Sequence, residues 1–398
     1  MEKILITGNG FDLSYGLPTL YSDFIKILNN LTNNSEITIE SIYSNVSSSE
    51  FILSNYNNVK FDFDEIERFK DEFTSNKWYA FFKEELEIDT WIDFENRIEL
   101  VVKKVLKGYE LIEQNLFGSR TIYEQEGEFS QDVINNDREL VYILDKFGIF
   151  KSDVSGQYLE FNKKYLKIRL ECITGVNINN IAYSLETELE DFKVIFEKYF
   201  TLFVYPFYET IKSTENNILF NNINKHYTFN YTSTFEQIFG LNVSTHLHGE
   251  INNPENQIVL GVNNINVEIS NGNPFIKFTK GFQKIHGAIK FSFIKDLDKG
   301  KSNNDKSFFF MGHSLDTSDQ KYIDEIFDYV SFYKDSKIAI IYHNNDSRAS
   351  LISNLLKIRN EANINSLLKN NQLKFHTTKS KELNELLSEH LITLEDIL

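Results

Sequence analysis

Two textures divide the chain. Beyond residue 222, short strand-like runs recur: His226–Phe229, Val243–Leu247, Gln257–Leu260, Phe308–Met311, Ile338–Tyr342 and Leu373–His376. Apolar runs of this length, without strict alternation, fit strands buried on both faces. Helical spacing follows several of them: Ile323, Ile326, Phe327 and Val330; Leu351, Leu355 and Ile358; Leu383, Leu386 and Leu387. Such alternation predicts an α/β fold, a mostly parallel, Rossmann-like sheet with helices on both faces. Residues 20–222 read differently, mostly as helices joined by polar loops. The clearest helix starts near Ser184, with Leu185, Leu189, Phe192, Phe196, Tyr199 and Phe203 on one face and Glu186 and Glu188 in its first turn. Pro206 should kink or end it. The Asn-rich tract from Leu28 to Glu36 and the polar stretch from Phe117 to Asn136 read as loops.

One further apolar run, Ile4–Thr7, opens the chain far from any strand partner in sequence. It belongs with the later sheet. The expected division is therefore residues 1–28 with 223–398 as a nucleotide-binding α/β domain, and 29–222 as a mostly helical insertion. The opening strand runs into Gly8-Asn9-Gly10-Phe11-Asp12, where glycines allow a tight turn and a close backbone approach to a ligand. A helix is expected after Pro18, capped by Ser22, with Asp23 in its first turn and Phe24, Ile27 and Leu28 as its apolar stripe. Strand, glycine turn and helix is how nucleotide-binding folds hold a pyrophosphate. The third glycine of the dinucleotide fingerprint would fall at Leu13, so an ordinary turn stands as the alternative.

Composition removes several classes. At 398 residues the length allows two to three domains, or one with a large insertion, and 41% hydrophobic content supplies a real core. A net charge of −17 argues against broad nucleic-acid binding and against an acidic membrane surface. A small anion held by backbone amides is still allowed. One cysteine, Cys172, excludes a disulfide framework or cysteine-rich zinc module and reads as a buried small residue; no metal site is expected. No run of about 18 apolar residues occurs, and the N-terminus reads as a strand rather than a signal peptide. The expectation is a soluble, cytoplasmic protein without a membrane partner.

Ligands of open parallel sheets bind at the carboxyl ends of the strands. Four expected strands end in polar residues: Gly8-Asn9-Gly10-Phe11-Asp12, Thr228-Phe229-Asn230-Tyr231-Thr232, Thr245-His246-Leu247-His248-Gly249, and Gly312-His313-Ser314-Leu315-Asp316. Each alone is weak. A histidine after a strand is more often a satisfied structural residue, and an Asn there is usually a turn former. Together they would line one edge of one sheet.

These segments, with Gly16-Leu17-Pro18 and Trp91-Ile92-Asp93-Phe94-Glu95, resemble the abortive infection AbiH family of phage-defence proteins over almost the whole chain. The order of glycine turn, Asn after a strand, His-Gly and Gly-x-Ser-Leu is also similar to sirtuin-like NAD-binding domains, over residues 1–28 and about 223–390. The resemblance implies a phage-defence protein that hydrolyses NAD as its substrate, with no resident cofactor. Asn230 and His248 would be catalytic. Gly8, Asn9, Gly10, Phe11 and Asp12 would line the phosphate and ribose pocket, and Gly312, His313, Ser314 and Asn344 would hold the adenosine half. The residue types suit that chemistry. Cleaving a nicotinamide–ribose bond passes through an oxocarbenium-like state, as glycoside hydrolysis does. Nicotinamide leaves neutral, so the site needs an amide to orient a hydroxyl and an imidazole to take its proton.

The chain departs from the sirtuin-like pattern in places. Thr232 stands where an Asp usually follows the Asn, and Asn9 and Asp12 replace a small residue and a Ser. The zinc cysteines are absent, which argues against protein deacetylation. His246, one residue before Leu247-His248, is expected to face away into packing, and His286-Gly287 reads as structural. Asp93 and Glu95 are either a helix cap with a solvated face or a lid reaching the pocket. The helical insertion is a candidate for homo-oligomerisation, or for sensing a phage-derived trigger or partner protein. The alternative to an NAD hydrolase is a nucleotide-binding sensor without catalysis.

Overall fold

The computed structural model describes residues 1–34, 36–55, 59–84, 91–114, 128–130, 137–152, 158–169, 172–214, 220, 222–262, 265, 272–287, 289 and 305–388. The chain forms two compact units. One comprises Met1–Asp62, Tyr199–Val259 and Lys284–Leu398, the other Phe63–Lys198 and Leu260–Gln283. The divisions fall at 62/63, 198/199, 259/260 and 283/284, against the expected 28/29 and 222/223. Aromatic contacts tie Tyr43, Tyr199 and Phe207 into the first unit: Phe24 meets Tyr199 edge-on at 4.9 Å, and Tyr43 meets Phe207 at 5.8 Å. The buried Tyr43 hydroxyl donates to the Phe203 carbonyl, and that of Tyr199 to the Pro18 carbonyl.

The first unit is built on a six-stranded sheet: β1 (Glu2–Thr7), β2 (Lys225–Thr228), β3 (Ser244–His246), β4 (Lys306–Met311), β5 (Lys337–Tyr342) and β6 (Leu373–Thr377). The spatial order is β6-β5-β4-β1-β2-β3, and every neighbouring pair is parallel. The opening strand thus lies at the centre, Ile6 registering with Tyr227 on one side and Phe310 on the other. Ile4, Leu5 and Ile6 are all fully buried, so both faces of β1 are covered. One face, including Ile4, Ile6, Phe308, Phe310, Ile338 and Ile340, packs with Ile323, Phe327 and Leu355 from the helices Gln320–Phe332 and Asn345–Ile358. This is the order 3-2-1-4-5-6 of doubly wound nucleotide-binding sheets, and the strand order reverses between β1 and β4.

Local details differ from the sequence expectations for identifiable reasons. A helix begins at once after β1, at Asn9–Ser14, with Gly8 as an extended N-cap residue. The helix expected after Pro18 is Tyr21–Asn33, but Ser22 lies inside it and Leu20 occupies the cap position. Asp23 instead accepts from the Ser47 backbone and hydroxyl. The same helix continues to Asn33, into the Asn-rich tract, where Asn30 donates to the carbonyls of Ile42 and Ser44. Tertiary hydrogen bonds override its loop-like composition. Gln257–Leu260 is not a strand. The Val259 N–H donates to the His248 carbonyl, so the run packs along the turn after β3.

In the second unit, helices Phe63–Thr74, Lys77–Glu84, Trp91–Ile112 and Arg138–Lys146 pack with most of the helix Ile178–Phe203. Trp78 stacks on Phe82 at 5.6 Å, and Phe94 stacks on Phe192 at 5.4 Å. The long helix starts six positions before Ser184 and stops ahead of Pro206, which sits in a 3-10 turn at Tyr205–Phe207. This region is less purely helical than its periodicity suggests. It holds a three-stranded antiparallel sheet (Glu128–Ser130, Tyr158–Phe161, Phe150–Ser152) and a two-stranded one (Leu166–Arg169, Cys172–Val176). These strands of three to five residues are too short to display a period. Most of Phe117–Asn136 and the side chains of Cys172 and Asp93 lie outside the described residues. Glu95 pairs with Lys280 at 2.7 Å within this unit.

Candidate active site

The helix start after β1 and the loop leaving β4 meet at the strand-order reversal and press together backbone to backbone. The Gly10 N–H donates to the Gly312 carbonyl at 2.8 Å. Gly312 has φ +68°, and a Cβ there would stand 2.0 Å from the Phe11 nitrogen. A Cβ on Gly10 would come within 2.8 Å of the Gly312 Cα, and one on Gly8 within 2.9 Å of the His313 Cα. The close approach that these glycines permit is therefore made to a neighbouring loop. The contact brings the β4 loop beside the groups that follow β1.

Gly8 is also tied to the end of β2. Asn230 Nδ2 donates to the Gly8 carbonyl and to Asp12 Oδ1, each at 3.1 Å. Thr232 Oγ1 donates to Asp12 Oδ2 at 2.5 Å, and Thr234 Oγ1 donates to Thr232 at 3.2 Å. Asp12 is 1% exposed. Burial raises its pKa to about 7, against the opposing pull of hydrogen bonds from Thr232, Thr234 and Asn230 and of the His246 charge. This carboxyl can gain or lose a proton near neutrality.

The end of β3 supplies two buried imidazoles that diverge, because the strand stops at His246 and turns. Gly249 takes φ +89°, and a Cβ there would lie 2.2 Å from the Gln257 carbonyl oxygen. His248 Nε2 reaches Asp319 Oδ1 at 3.0 Å, and His313 Nε2, from the β4 loop, lies 3.6 Å from Asp319 Oδ2. The Leu315 N–H donates to His313 Nδ1 at 2.9 Å, so a neutral ring carries its proton on Nε2, facing Asp319. Phe229, the residue before Asn230, meets the rings of His248 at 5.2 Å and His313 at 4.3 Å. His248, His313 and Asp319 are each less than a tenth exposed.

His246 belongs to a different cluster. Its Nδ1 lies 3.1 Å from the Asn230 carbonyl, and its Nε2 lies 3.4 Å from Glu236 and 3.6 Å from Glu250. Burial would pull its pKa down, but Glu236, Glu250 and the Asn230 carbonyl outweigh burial and raise it. The packing expected around this ring is thus a charged brace. Further along β2, His226 bridges Thr7 Oγ1 at 2.8 Å and Ser244 Oγ at 2.7 Å. Burial lowers its pKa to about 3, so it is neutral.

The fold gathers Gly8, Asp12, Asn230, His248, Gly312 and His313 into one connected set. Other expected site residues have duties in the fold. Asn9 Nδ2 donates to the Thr19 carbonyl, Phe11 packs edge-on against Tyr15 and Phe220, and the Ser314 carbonyl accepts from Asn354. Asn344 is exposed and caps the helix Asn345–Ile358 through the Ser347 N–H at 2.8 Å. His286 is exposed at the last position of the helix Lys280–His286. Sequence reasoning passes over Asp319. It occupies the N-cap position of the helix Gln320–Phe332 but makes no capping bond, its carboxylate going to the histidines instead. In sequence it looks like one more helix-start Asp beside Asp316, which does cap. Among the described residues, no cluster of three or more His, Cys, Asp or Glu is arranged to hold a metal ion, and no helix is long and apolar enough to cross a membrane.

A parallel α/β sheet with a buried His–Asp pair and a hydrogen-bonded Asn–Asp pair at its strand ends defines a Rossmann-like protein with a polar site at its topological switch point. The family model described as "Bacteriophage abortive infection AbiH" matches residues 4–342, and the chain belongs to that family. Membership carries a role in abortive infection against bacteriophage. No curated protein and no solved structure matches the chain.

Proposed function

We propose that this abortive-infection protein is an NAD hydrolase that cleaves the nicotinamide–ribose bond. The observation that carries the reading is the His248–Asp319 pair at 3.0 Å, beside the Phe229–Asn230 strand end. His248 acts as general base, and Asp319 orients the ring and stabilises the imidazolium that forms. Asn230 orients the attacking water. The water oxygen bonds to the ribose carbon, the carbon–nitrogen bond breaks, and its electron pair leaves with neutral nicotinamide. The water proton passes to His248. A ribose hydroxyl can replace water as nucleophile, giving a cyclic product by the same proton path.

The departures from the sirtuin-like pattern support this reading, because they meet. The Thr232 hydroxyl donates to the Asp12 carboxylate. Where that pattern has Ser at the turn and Asp after the Asn, this chain has Asp at the turn and Thr after the Asn. A carboxylate and a hydroxyl are retained with their places exchanged.

The test is release of free nicotinamide from NAD, measured by chromatography with purified protein and with extracts of phage-infected cells carrying it. Wild type should release nicotinamide in at least one setting, while Asn230→Ala and His248→Ala, folded by circular dichroism, should not. No release in either setting would overturn the reading. A second reading, a nucleotide-binding sensor without turnover, draws on the fold duties of Asn230, whose amide is bonded to Gly8 and Asp12. It predicts nucleotide binding with no nicotinamide released.

A further inference from the structure

Asn230 is held from two sides. Its side-chain nitrogen faces the Gly8 carbonyl and Asp12 Oδ1, and its own carbonyl faces His246 Nδ1 at 3.1 Å. The Gly8 oxygen can only accept, which settles which arm of the amide is nitrogen. An amide nitrogen has two protons, and two acceptors take them.

The support behind Asp12 is directional as well. Thr232 donates to Asp12, and Thr234 donates to Thr232. The Tyr208 hydroxyl, 2.9 Å from Thr234, must then be the donor in that contact. When Asp12 is ionised, the hydroxyl chain from the helix Tyr208–Thr214 points every proton toward Oδ2, while Oδ1 receives Asn230.

We propose that Asp12 is a positioning residue: with the Gly8 carbonyl it takes both side-chain amide protons of Asn230, so that the Asn230 side chain offers a ligand only its oxygen Oδ1. At this position the site therefore selects a hydroxyl donor, a nucleophilic water or a ribose hydroxyl. It turns away a phosphate oxygen or a carboxamide carbonyl, which would need a donor. This rests on the NAD-cleaving reading for its substrate, but the locked amide stands independently of turnover.

Two measurements separate those claims. In the nicotinamide-release assay, Asp12→Asn keeps an acceptor for Asn230 and should retain activity within about tenfold of wild type. Asp12→Ala should fall by at least about 100-fold, toward the loss expected of Asn230→Ala. An Asp12→Asn enzyme as inactive as Asp12→Ala would overturn the positioning role, because charge rather than geometry would then be required. The second measurement does not need turnover. In perdeuterated, nitrogen-labelled protein, the side-chain amide pair absent from Asn230→Ala identifies Asn230. Its two protons should exchange at least about 100-fold more slowly than those of exposed asparagines, and their shifts should move in Asp12→Asn. Exchange at the exposed rate, or shifts indifferent to Asp12→Asn, would overturn the proposal. Slow, Asp12-sensitive protons without nicotinamide release would sustain it and remove the hydrolase reading.

Discussion

His246 and His248 stand two residues apart, are buried to nearly the same extent at 5% and 7% exposure, and each lies against carboxylate. Yet they do different work. His246 is enclosed by Glu236, Glu250 and the backbone carbonyl of Asn230, all from β2, β3 and the segments just after them. Its neighbours are local, and its charge is matched. His248 is paired across the strand-order reversal with Asp319 from the β4 side, next to His313. Similar burial and chemistry thus give a brace in one case and a member of the candidate site in the other. The deciding quantity is which side of the switch point supplies the partner.

The comparison can be broken most severely at the brace. His246→Ala would leave Glu236 and Glu250 without their cation, at a cost of about 3–5 kcal/mol in unfolding free energy. His248→Ala should cost clearly less in the same urea titration, even where it abolishes nicotinamide release. Equal losses would erase the distinction.

The buried titrating groups sharpen it next. Asp12 has its pKa raised to about 7, so its ionised form is disfavoured in the folded state and the protein loses stability as pH rises from the unfolded value near 4 to about 7. The shift corresponds to something on the order of 4 kcal/mol. Asp12→Asn should therefore raise the melting temperature relative to wild type at pH 8 and change it little at pH 4. His226 works in the opposite sense. Its pKa is lowered to about 3, so stability is full above the unfolded value near 6.5 and falls as pH drops from there toward 3. In His226→Asn that acid-side loss should shrink, measured as the pH dependence of unfolding free energy between pH 4 and 7. An unchanged slope would show that other groups control it.

The smallest effect is expected at Asn344. As a helix cap bonded to the Ser347 N–H, it should cost about 1 kcal/mol when replaced by alanine. Nucleotide affinity measured by calorimetry should stay within about twofold of wild type. A large loss of affinity would give Asn344 a part in nucleotide binding besides its helix cap.

Much of the architecture was legible along the chain, because burial on both sheet faces writes a local pattern. The run Ile4–Ile6 has no partner nearby, and that absence already placed it in the later sheet, where Lys225–Thr228 and Lys306–Met311 flank it. Asn230 and His248 stood out because each follows a strand end. Asp319 did not, since an Asp before an amphipathic helix ordinarily reads as a cap. The short strands between residues 128 and 176 left no period to detect.

By itself, then, the sequence determined the alternation of strands and helices, the carboxyl-end location of the polar residues, and the family, since these depend on spacing and residue type. Only the tertiary structure decided that Gly8, Gly10 and Gly312 serve one helix-start-to-loop contact, that Asp12 meets Asn230 and Thr232, and that Asp319 turns from helix capping to His248. These are contacts between segments up to about 300 positions apart. No local preference encodes them, because they exist only once the parallel sheet brings its strand ends side by side.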